Sequence, residues 1–269
     1  MPTSKTRLLC MPTLCADIFD GTGEILPGGE ALNLGCIACR YPHMDVALLG
    51  AIGADEPGAA ILAAIDARPI DRTHVHVIED GATATHRIYH TPEGDRYFKP
   101  DSWQGGVFAT YRLTEADSDA MNAADVVFCT WYSPNFREVL ACRREGSFRL
   151  AVDFDIERDL AKMEAALPFV DFFFISGDDA FLPTAKAWSE RFDAIFNVTL
   201  AERGSVTYVG GREYRVSAVP VSEVIDTTGC GDSYHGAFLS RYLLDGDVTA
   251  AMHEGSRVAS QTLSHMGGF

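Results

Sequence analysis

A short segment near residue 230 combines glycines, hydroxyls and carboxylates in an order that suits phosphate chemistry. It reads Asp226-Thr-Thr-Gly-Cys-Gly-Asp232 and lies between a strand-like run and an apolar helical pattern. Glycines at 229 and 231 permit positive φ and let a ligand approach the backbone. The N–H groups from Gly229 to Asp232 are then expected to face one concavity at the positive end of the helix. Such a concavity binds phosphate and stabilises charge on a transferring phosphoryl group.

Asp232, the last residue of this segment, has two interpretations. A carboxylate beside an anion site is unfavourable unless it has a chemical role, and a general base that takes a proton from an attacking hydroxyl is such a role. The other interpretation is an aspartate that caps an ordinary helix. The G-x-G-D pattern alone leaves both open, and no Gly-Lys-Ser/Thr follows it as in a Walker A loop.

The elements that must position this segment alternate along the chain. Strand-like apolar runs are predicted at 7–11, 46–49, 126–129, 150–154, 172–175, 194–198, 206–209 and 215–224. Helical patterns are predicted at 31–40, 57–67, 114–123, 134–144 and 233–244, and from 248 until Gly267 ends the last one. This alternation predicts a doubly wound, mostly parallel α/β sheet with helices on both faces, in one domain over residues 1–269.

Two polar segments interrupt the alternation. Residues 83–89 and 95–99 have the pattern of two strands around Pro92-Glu-Gly94, which predicts a hairpin. Residues 16–27 are also short, polar and rich in glycine. We therefore expect a small β lid at about 16–27 and 83–101, and such a lid would exclude water from a reaction that water could intercept.

Composition limits the partners and the compartment. The formal net charge of −16 disfavours nucleic acid and anionic membranes as general partners. The sequence shows no signal-peptide pattern and no run near the ~18 apolar residues of a membrane-spanning helix. Seven scattered cysteines indicate reduced thiols in a cytoplasmic protein.

Two segments together resemble the signatures of the ribokinase-like (PfkB) carbohydrate kinases. Residues 226–232 are similar to the family's D-T-x-G-A-G-D, with Cys230 in place of alanine, and Gly28-Gly-Glu-Ala-Leu-Asn33 is similar to G-G-x-A-x-N. The resemblance covers essentially the whole chain and implies the ribokinase-like fold and an ATP-dependent phosphoryl transfer to a sugar hydroxyl. It implies that Asp232 is the base and that Gly229, Cys230 and Gly231 donate backbone hydrogen bonds to the γ-phosphate.

The same resemblance suggests the residues that bind the sugar. Asp17, Gly29 and Asn33 occupy positions where the family contacts sugar hydroxyls or lets the sugar approach the backbone. The alternatives are a turn aspartate, a helix-entry glycine and a buried helix asparagine. Arg96, on the expected lid, either pairs with a substrate carboxylate or phosphate or is an ordinary exposed strand residue.

Positions for the nucleotide and the metal follow in the same way. Val198 to Gly204 resembles the nucleotide-contacting T-L-G-x-x-G, with Ala201 in place of the first glycine. ATP contacts are therefore expected from Thr199, Glu202, Gly204, Thr227, Gly229 and Gly231. Ser176 to Asp179 replaces the family's N-x-x-E, and Asp179 keeps a carboxylate for Mg²⁺. A monovalent cation is a further cofactor that the family implies.

Three further segments are Cys15-Ala-Asp-Ile-Phe19, Gly94-Asp-Arg-Tyr-Phe98 and His265-Met-Gly-Gly-Phe269. With the short length of the chain, they resemble the fructoselysine kinases within the family. This resemblance implies transfer of the γ-phosphate to a primary hydroxyl of a fructosamine. Alternatives with the same chemistry are a fructokinase or another sugar or nucleoside kinase. An alternative of another class is a non-catalytic sensor of sugar or nucleotide, because a fold does not fix a function. Exposed strand edges of the lid could also pair two copies into a homodimer.

Overall fold

The computed structural model describes residues 5–90, 96–97 and 99–269, and for residues 90, 96 and 97 it describes the backbone alone. The strands, in chain order, are β1 (Thr6–Cys10), β2 (Cys15–Phe19), β3 (Ile25–Gly28), β4 (Met44–Gly53), β5 (Ile70–Ile78), β6 (Ala84–His90), β7 (Arg96–Tyr97), β8 (Trp103–Gln104), β9 (Val126–Thr130), β10 (Arg149–Asp153), β11 (Phe172–Ser176), β12 (Ile195–Thr199), β13 (Ser205–Val209) and β14 (Arg212–Val216). The helices are α1 (Glu30–Ala38), α2 (Glu56–Asp66), α3 (Gly106–Thr110), α4 (Glu115–Ala123), α5 (Phe136–Glu145), α6 (Leu160–Ala166), α7 (Leu182–Ser189), α8 (Cys230–Asp245) and α9 (Val248–Thr262).

Nine strands of the described residues form the main sheet, in the order β14-β13-β12-β11-β10-β9-β1-β4-β5. In this spatial order, the seven strands that run from β12 across to β5 are parallel to one another. At the other edge, β13 and β14 are antiparallel to their neighbours. The chain first moves from β1 to β4 on one side and later returns to β9 on the other side. In such sheets, ligands bind outside the carboxyl ends of the strands where the direction of winding changes. The fold therefore directs attention to the residues that follow β1.

Apolar side chains cover both faces of this sheet. Leu8 and Cys10 belong to a core that includes buried residues of α1, α2, α8 and α9. Leu9 and Met11 belong to a second core, which includes buried residues of α4, α5, α6 and α7. Because neighbouring residues of a strand face opposite sides, both sets are buried when helices cover both faces. The predicted doubly wound fold is confirmed, and none of the helices in the described ranges is long and apolar enough to span a membrane.

A second, smaller sheet includes the segments predicted to form a lid, and we call it the lid sheet, although its role as a lid stays a prediction. Its strands run in the order β3-β2-β6-β7, and β8 pairs with β6, so the sheet extends beyond the predicted limit at residue 101. The predicted turn at Pro92-Glu-Gly94 lies outside the described residues. Asp55 caps α2 through Gly58 N at 2.9 Å and also accepts a hydrogen bond from Thr83 N at 2.8 Å. This carboxylate therefore ties the start of β6 to the main body.

Two predicted elements end earlier than their patterns suggested. The strand expected at 215–224 stops at Val216, and residues 217–229 form a loop with Val219 and Val221 exposed. Pro220 lacks the N–H that a strand needs for pairing, which explains why apolar alternation did not produce a strand. The last helix ends at Thr262 rather than at Gly267, although Gly267 does adopt a positive φ of 81°.

Candidate active site

A cleft of about 590 Å³ lies between the lid sheet and the carboxyl ends of the main-sheet strands. Its wall on the lid side includes Asp17, His86 and Trp103. The opposite wall comes from the first turns of α1 and α8 and from the ends of β10 and β11. The residues on that side include Gly29, Glu30, Asn33, Tyr132, Asp153, Asp155, Ser176, Thr227, Thr228, Gly229, Cys230, Gly231, Asp232 and His235. Most of the residues predicted to do chemistry therefore share one cleft.

Asp226 shapes the loop that leads into α8. Its side chain is 2% exposed, and Oδ1 accepts hydrogen bonds from Thr228 N at 2.9 Å and from Thr228 Oγ1 at 2.8 Å. Oδ2 accepts a hydrogen bond from Gly267 N at 2.9 Å, which joins the loop to the C-terminal segment. Gly229 caps α8 with φ 67°, and a Cβ there would lie 2.5 Å from Gly268 Cα. Only glycine fits this turn without displacing the backbone.

The first turn of α8 presents backbone donors to the cleft. Helix geometry leaves the N–H groups of its first residues without intrahelical acceptors, and the helix dipole makes that end positive. The N–H of Cys230 already donates a long hydrogen bond of 3.3 Å to Thr227 O. Gly231 and Asp232 come next in this turn, so their N–H groups are better placed for an anion than that of Cys230.

Asp232 is held by the other motif. Asn33 Nδ2 donates a hydrogen bond of 2.8 Å to Asp232 Oδ2. Burial raises the pKa of Asp232 well above its usual range, and the negative charges of Glu30 and Asp153 add to this rise against the lowering effect of Asn33. A carboxylate with a raised pKa is a stronger base near neutral pH, which suits proton abstraction from a hydroxyl.

Glu30 is a second carboxyl with a raised pKa in the same cleft. Burial is the main cause, Tyr132 opposes it by donating a hydrogen bond to Oε1, and the charge of Asp153 adds to it. Glu30 and Asp232 influence each other, because each charge disfavours ionisation of the other. A cation bound between them would relieve this repulsion.

Three of the residues predicted to bind the sugar line this cleft, Asp17 from the lid side and Gly29 and Asn33 from the opposite wall. Asp17 on β2 is 7% exposed, and Asn33 is 3% exposed. Gly29 has φ 98°, and a Cβ there would lie 2.5 Å from Thr13 O, so this turn requires glycine. Arg96 is in β7, but its side chain lies outside the described residues, so its role stays a prediction.

The predicted ATP contacts Thr227, Gly229 and Gly231 line the cleft, and their role stays a prediction. The other residues predicted to bind nucleotide or metal lie outside its lining. Thr199 pairs in register with Ser176, which does line the cleft. Ala201 adopts φ 52°, the left-handed conformation for which the family uses glycine, and Gly204 follows with φ 93°. Glu202 is exposed at this turn. These three ATP contacts, at 199, 202 and 204, remain predictions.

Asp179 is separated from the lining residues. It is exposed and pairs with Arg203, whereas Asp155 lines the cleft. Asp155 has φ 49°, a conformation that residues other than glycine rarely adopt outside functional sites. Burial and the charge of Asp153 raise its pKa. The assignment of Asp179 to Mg²⁺ stays a prediction, and Asp155 is a carboxylate that lines the same cleft as the first turn of α8.

The residues of the cleft that the sequence reasoning missed include Glu30, Tyr132, Asp153, Asp155 and His235. One signal could have found two of them, because Asp153 and Asp155 directly follow an apolar strand, and the carboxyl ends of parallel strands form the binding edge. His235 lies one turn beyond Asp232 on α8, so the two share a helix face. Glu30 occupies the first of the two variable positions of the N-terminal motif.

The chain that carries this site matches a known protein family over most of its length. Residues 20–268 match the model of the family described as pfkB family carbohydrate kinase. The chain belongs to the pfkB family of carbohydrate kinases. Members of this pfkB family are phosphotransferases with an alcohol group as acceptor, so the predicted enzyme class is confirmed and the hypothesis of a non-catalytic sensor loses its support.

Three known proteins are similar to this chain over nearly its whole length. A fructoselysine 6-kinase from Shigella flexneri is 27% identical over 256 residues, which cover 94% of this chain and 95% of that protein. Ribokinase from Arabidopsis thaliana, solved with ribose and ATP, has a TM-score of 0.81 at 16% identity, with 98% of this chain and 94% of that chain covered. A fructokinase double mutant from Vibrio cholerae O395, with fructose, ADP and potassium ion bound, has a TM-score of 0.78 at 18% identity, with 98% and 94% covered. The two solved structures show that the fold is ribokinase-like.

Proposed function

We propose that this carbohydrate kinase transfers the γ-phosphate of ATP to a primary hydroxyl of a fructosamine. The observation that carries the substrate class is the charge of the cleft. Its described lining contains the carboxyl groups of Asp17, Glu30, Asp153, Asp155 and Asp232, and no lysine or arginine. A fructosamine carries a basic nitrogen that is protonated in water, whereas fructose and ribose are neutral. An acidic cleft therefore favours the amine-bearing sugar.

Glu30 is the carboxylate best suited to the substrate nitrogen. One of its oxygens accepts the hydrogen bond of Tyr132, which fixes the side chain at the start of α1. The charges of Asp153 and Asp155 disfavour its ionisation, so an ammonium group would bind strongly there by removing the repulsion. The similarity to the fructoselysine 6-kinase of Shigella flexneri supports the same substrate class.

The chemistry then follows from the residues around Asp232. Asp232 accepts the proton of the sugar hydroxyl while Asn33 holds the carboxylate in place at 2.8 Å. The backbone N–H groups of Gly231 and Asp232 stabilise the charge that develops on the transferring phosphoryl group. Asp17 accepts hydrogen bonds from sugar hydroxyls, and the lid sheet excludes water from the cleft.

Carboxylates at the phosphate side of the cleft fit a hard cation such as Mg²⁺, which prefers oxygen ligands. When bound, Mg²⁺ supplies charge neutralisation to the phosphates. In this chain Asp155 would hold it, whereas Asp179, which the family resemblance suggests for the same role, pairs with Arg203 outside the cleft lining. Thr199, Glu202, Gly204 and Thr227 would contact the rest of ATP at the carboxyl end of β12 and at the loop before α8.

A coupled ATP assay over a substrate panel tests the proposal. The panel contains fructoselysine, two other fructosamines, fructose, ribose and a nucleoside, and kcat/KM is compared across it. We expect the fructosamines to give the highest values. A higher kcat/KM for fructose or for the nucleoside would overturn the fructosamine assignment and favour a fructokinase or nucleoside kinase.

Two substitutions in the cleft and one control outside it connect the assay to particular residues. Glu30→Gln should lower kcat/KM for fructosamines by roughly tenfold, the effect of one charge-assisted hydrogen bond, and should change the value for fructose less. Glu24→Gln, an exposed lid position, is the matched control and should change neither. Asp232→Asn should lower kcat by about 10²-fold or more with every substrate, and near-wild-type turnover would contradict its role as base.

A further inference from the structure

Three ligand-type side chains meet where α8 approaches the end of β10. Asp153, Asp232 and His235 each offer one donor atom, and these atoms all lie within 4.8 Å of one another. Asp232 and His235 are three residues apart on α8 and so project from one face of the helix. We call these three residues the Asp–Asp–His trio. Two carboxylates and one imidazole at such separations are a donor set that divalent metal ions accept.

His235 is buried, and the hydrogen-bonding capacity of its ring nitrogens is not satisfied. Its side chain is 2% exposed, and neither ring nitrogen has a hydrogen-bond partner within the described part of the chain. Nδ1 lies 3.2 Å from Asp153 Oδ2, but the two groups are not aligned as a hydrogen bond. Leaving a buried polar group unpaired is unfavourable, so an imidazole in this position needs a ligand.

The packing around His235 fixes its direction. The ring stacks on Phe174 with centroids 4.4 Å apart and an interplanar angle of 29°. Phe174 is itself fully buried and pairs in register with Asp153 on the neighbouring strand. The imidazole is therefore held against β11 with Nδ1 towards Asp153, and rotation away would break a stacked aromatic contact.

The distance between His235 Nδ1 and Asp153 Oδ2 is close to the distance between two ligand atoms of a zinc site. Zinc binds histidine nitrogen and carboxylate oxygen at about 2.0–2.2 Å, which places two ligand atoms of a tetrahedral site about 3.4 Å apart. The 3.2 Å between His235 Nδ1 and Asp153 Oδ2 is close to this value. Asn33 donates to Asp232 Oδ2, so it orients that carboxylate as an outer partner of the metal while the other oxygen is left to coordinate.

We propose that the Asp–Asp–His trio binds a divalent transition-metal ion of the Zn²⁺ class. The imidazole favours Zn²⁺ or Co²⁺ over Mg²⁺, which prefers an all-oxygen set. Asp232 and the exposed Gly231 line the cleft, so the ion has a path of entry and a fourth position open to water. Glu30 and Asp155 add negative charge that attracts the cation.

Occupation of this site has a consequence for the reaction. A metal ion on Asp232 takes the lone pair that would accept the proton of the sugar hydroxyl, so the metal-loaded protein is inactive. Metal binding itself is independent of the proposed function, and only the inhibition depends on it. The site thus makes a carbohydrate kinase that Zn²⁺ turns off and a chelator restores.

Titration of the chelator-treated full chain with Co²⁺, without sugar or nucleotide, tests the binding step. We expect one Co²⁺ per chain, with the intense visible absorption of a four- or five-coordinate ion, displaced by Zn²⁺ and not by Mg²⁺. Zn²⁺ should also raise the midpoint of thermal unfolding, because it binds the folded state. Absence of the visible absorption in the wild-type chain would overturn the proposal, and so would equal displacement by Mg²⁺.

Substitutions locate the ion. His235→Gln should weaken Co²⁺ binding by about tenfold or more. His253→Gln, at an exposed position of α9, is the matched control and should bind as the wild type does. Asp153→Asn provides a second test if His235→Gln proves unstable by circular dichroism. Unchanged Co²⁺ affinity in a folded His235→Gln or Asp153→Asn protein would place the ion elsewhere and refute the site.

The kinase assay tests the inhibition separately. Within the wild-type protein, one equivalent of Zn²⁺ should lower the rate with saturating Mg²⁺ and ATP, and a chelator should restore it. If Co²⁺ binds at the Asp–Asp–His trio but the rate is unchanged, Asp232 is not the base and the proposed mechanism fails while the metal site stands.

Discussion

Asn33 Nδ2 lies 2.8 Å from Asp232 Oδ2 and joins two motifs that are 199 residues apart in the chain. Asn33 was predicted to bind sugar hydroxyls, yet its amide also holds the carboxylate proposed as the base. Its Oδ1 is buried without a hydrogen-bond partner within the described ranges. A substrate hydroxyl that donates to Oδ1 would therefore satisfy Asn33 and approach Asp232 at the same time.

Asn33→Ala tests whether this amide positions the base. We expect kcat to fall by roughly tenfold to a hundredfold, the value of a hydrogen bond to a charged group, because Asp232 loses the donor that orients it. Asn33→Asp should lower kcat further, since a second negative charge would face Asp232. Asn122→Ala, exposed on α4, is the control. A rise in KM with unchanged kcat would show that Asn33 binds sugar and does not position the base.

Gly268, in the C-terminal segment, packs against Asn33 and so affects the position of Asn33 beside Asp232. A Cβ at Gly268 would lie 2.5 Å from Asn33 Cγ, and Ser233 Oγ donates to Gly268 O at 3.0 Å. Gly268→Ala should therefore displace Asn33 and lower kcat, with little change in the secondary structure seen by circular dichroism. Gly21→Ala, with no atom within 4 Å of its added Cβ, is the matched control. Equal kcat for the two variants would show that Asn33 tolerates the displacement.

Much of the architecture could be predicted from the chain because local patterns determine it. The strands at 126–130 and 172–176 are apolar on both faces, as expected for buried parallel strands. Asp55 caps α2 and Thr114 caps α4, as their residue types suggest. The strand predicted over 217–224 does not form, because these residues have no neighbouring strand to pair with and Pro220 has no N–H to donate. Periodicity reports what a segment could bury and does not report whether a partner is available.

The candidate site was predictable only where one motif contains it. The loop at 226–232 and the turn at 28–33 carry their own glycines and polar groups. Asp153 and His235 meet because β10 pairs with β11 and α8 packs over Phe174, which no local pattern reveals. Glu30 faces the cleft because α1 begins there, and helix starts are fixed less well by sequence than helix interiors.

Cys230, the one departure from the family's loop signature, should be unreactive. Burial and the nearby charge of Asp232 raise the pKa of its thiol to about 11, so little thiolate forms near neutral pH. Cys230→Ala should leave kcat within roughly twofold, because the proposed phosphate contacts come from the loop backbone rather than from this side chain. It should also leave unchanged the number of thiols that react quickly with a thiol reagent. Loss of a fast-reacting thiol in Cys230→Ala, and not in Cys142→Ala, would contradict this expectation.

Asp117 is a buried anchor far from the cleft. Its side chain is 0% exposed, and it completes a capping box with Thr114 at the start of α4. Tyr111 also donates to it, and the ring nitrogens of His74 and His76 lie 3.3 and 3.0 Å from Oδ1. Burial acts to raise the pKa of Asp117, but the hydrogen bonds of Tyr111, Thr114 and His76 outweigh it and lower the pKa to about 2.

Stability should therefore depend on the ionisation of Asp117. Because its pKa is lower in the folded state, its contribution is present above about pH 4 and is lost as the pH falls towards 2. Asp117→Asn should lower the free energy of unfolding at pH 7 by on the order of 2 kcal/mol, and Asp119→Asn, exposed on the same helix, should change it little. Urea unfolding of the three proteins between pH 7 and pH 3.5 provides the measurement. The difference in the free energy of unfolding between wild type and Asp117→Asn should be smaller at pH 3.5 than at pH 7. A constant difference would show that hydrogen-bond geometry rather than charge supplies the stability.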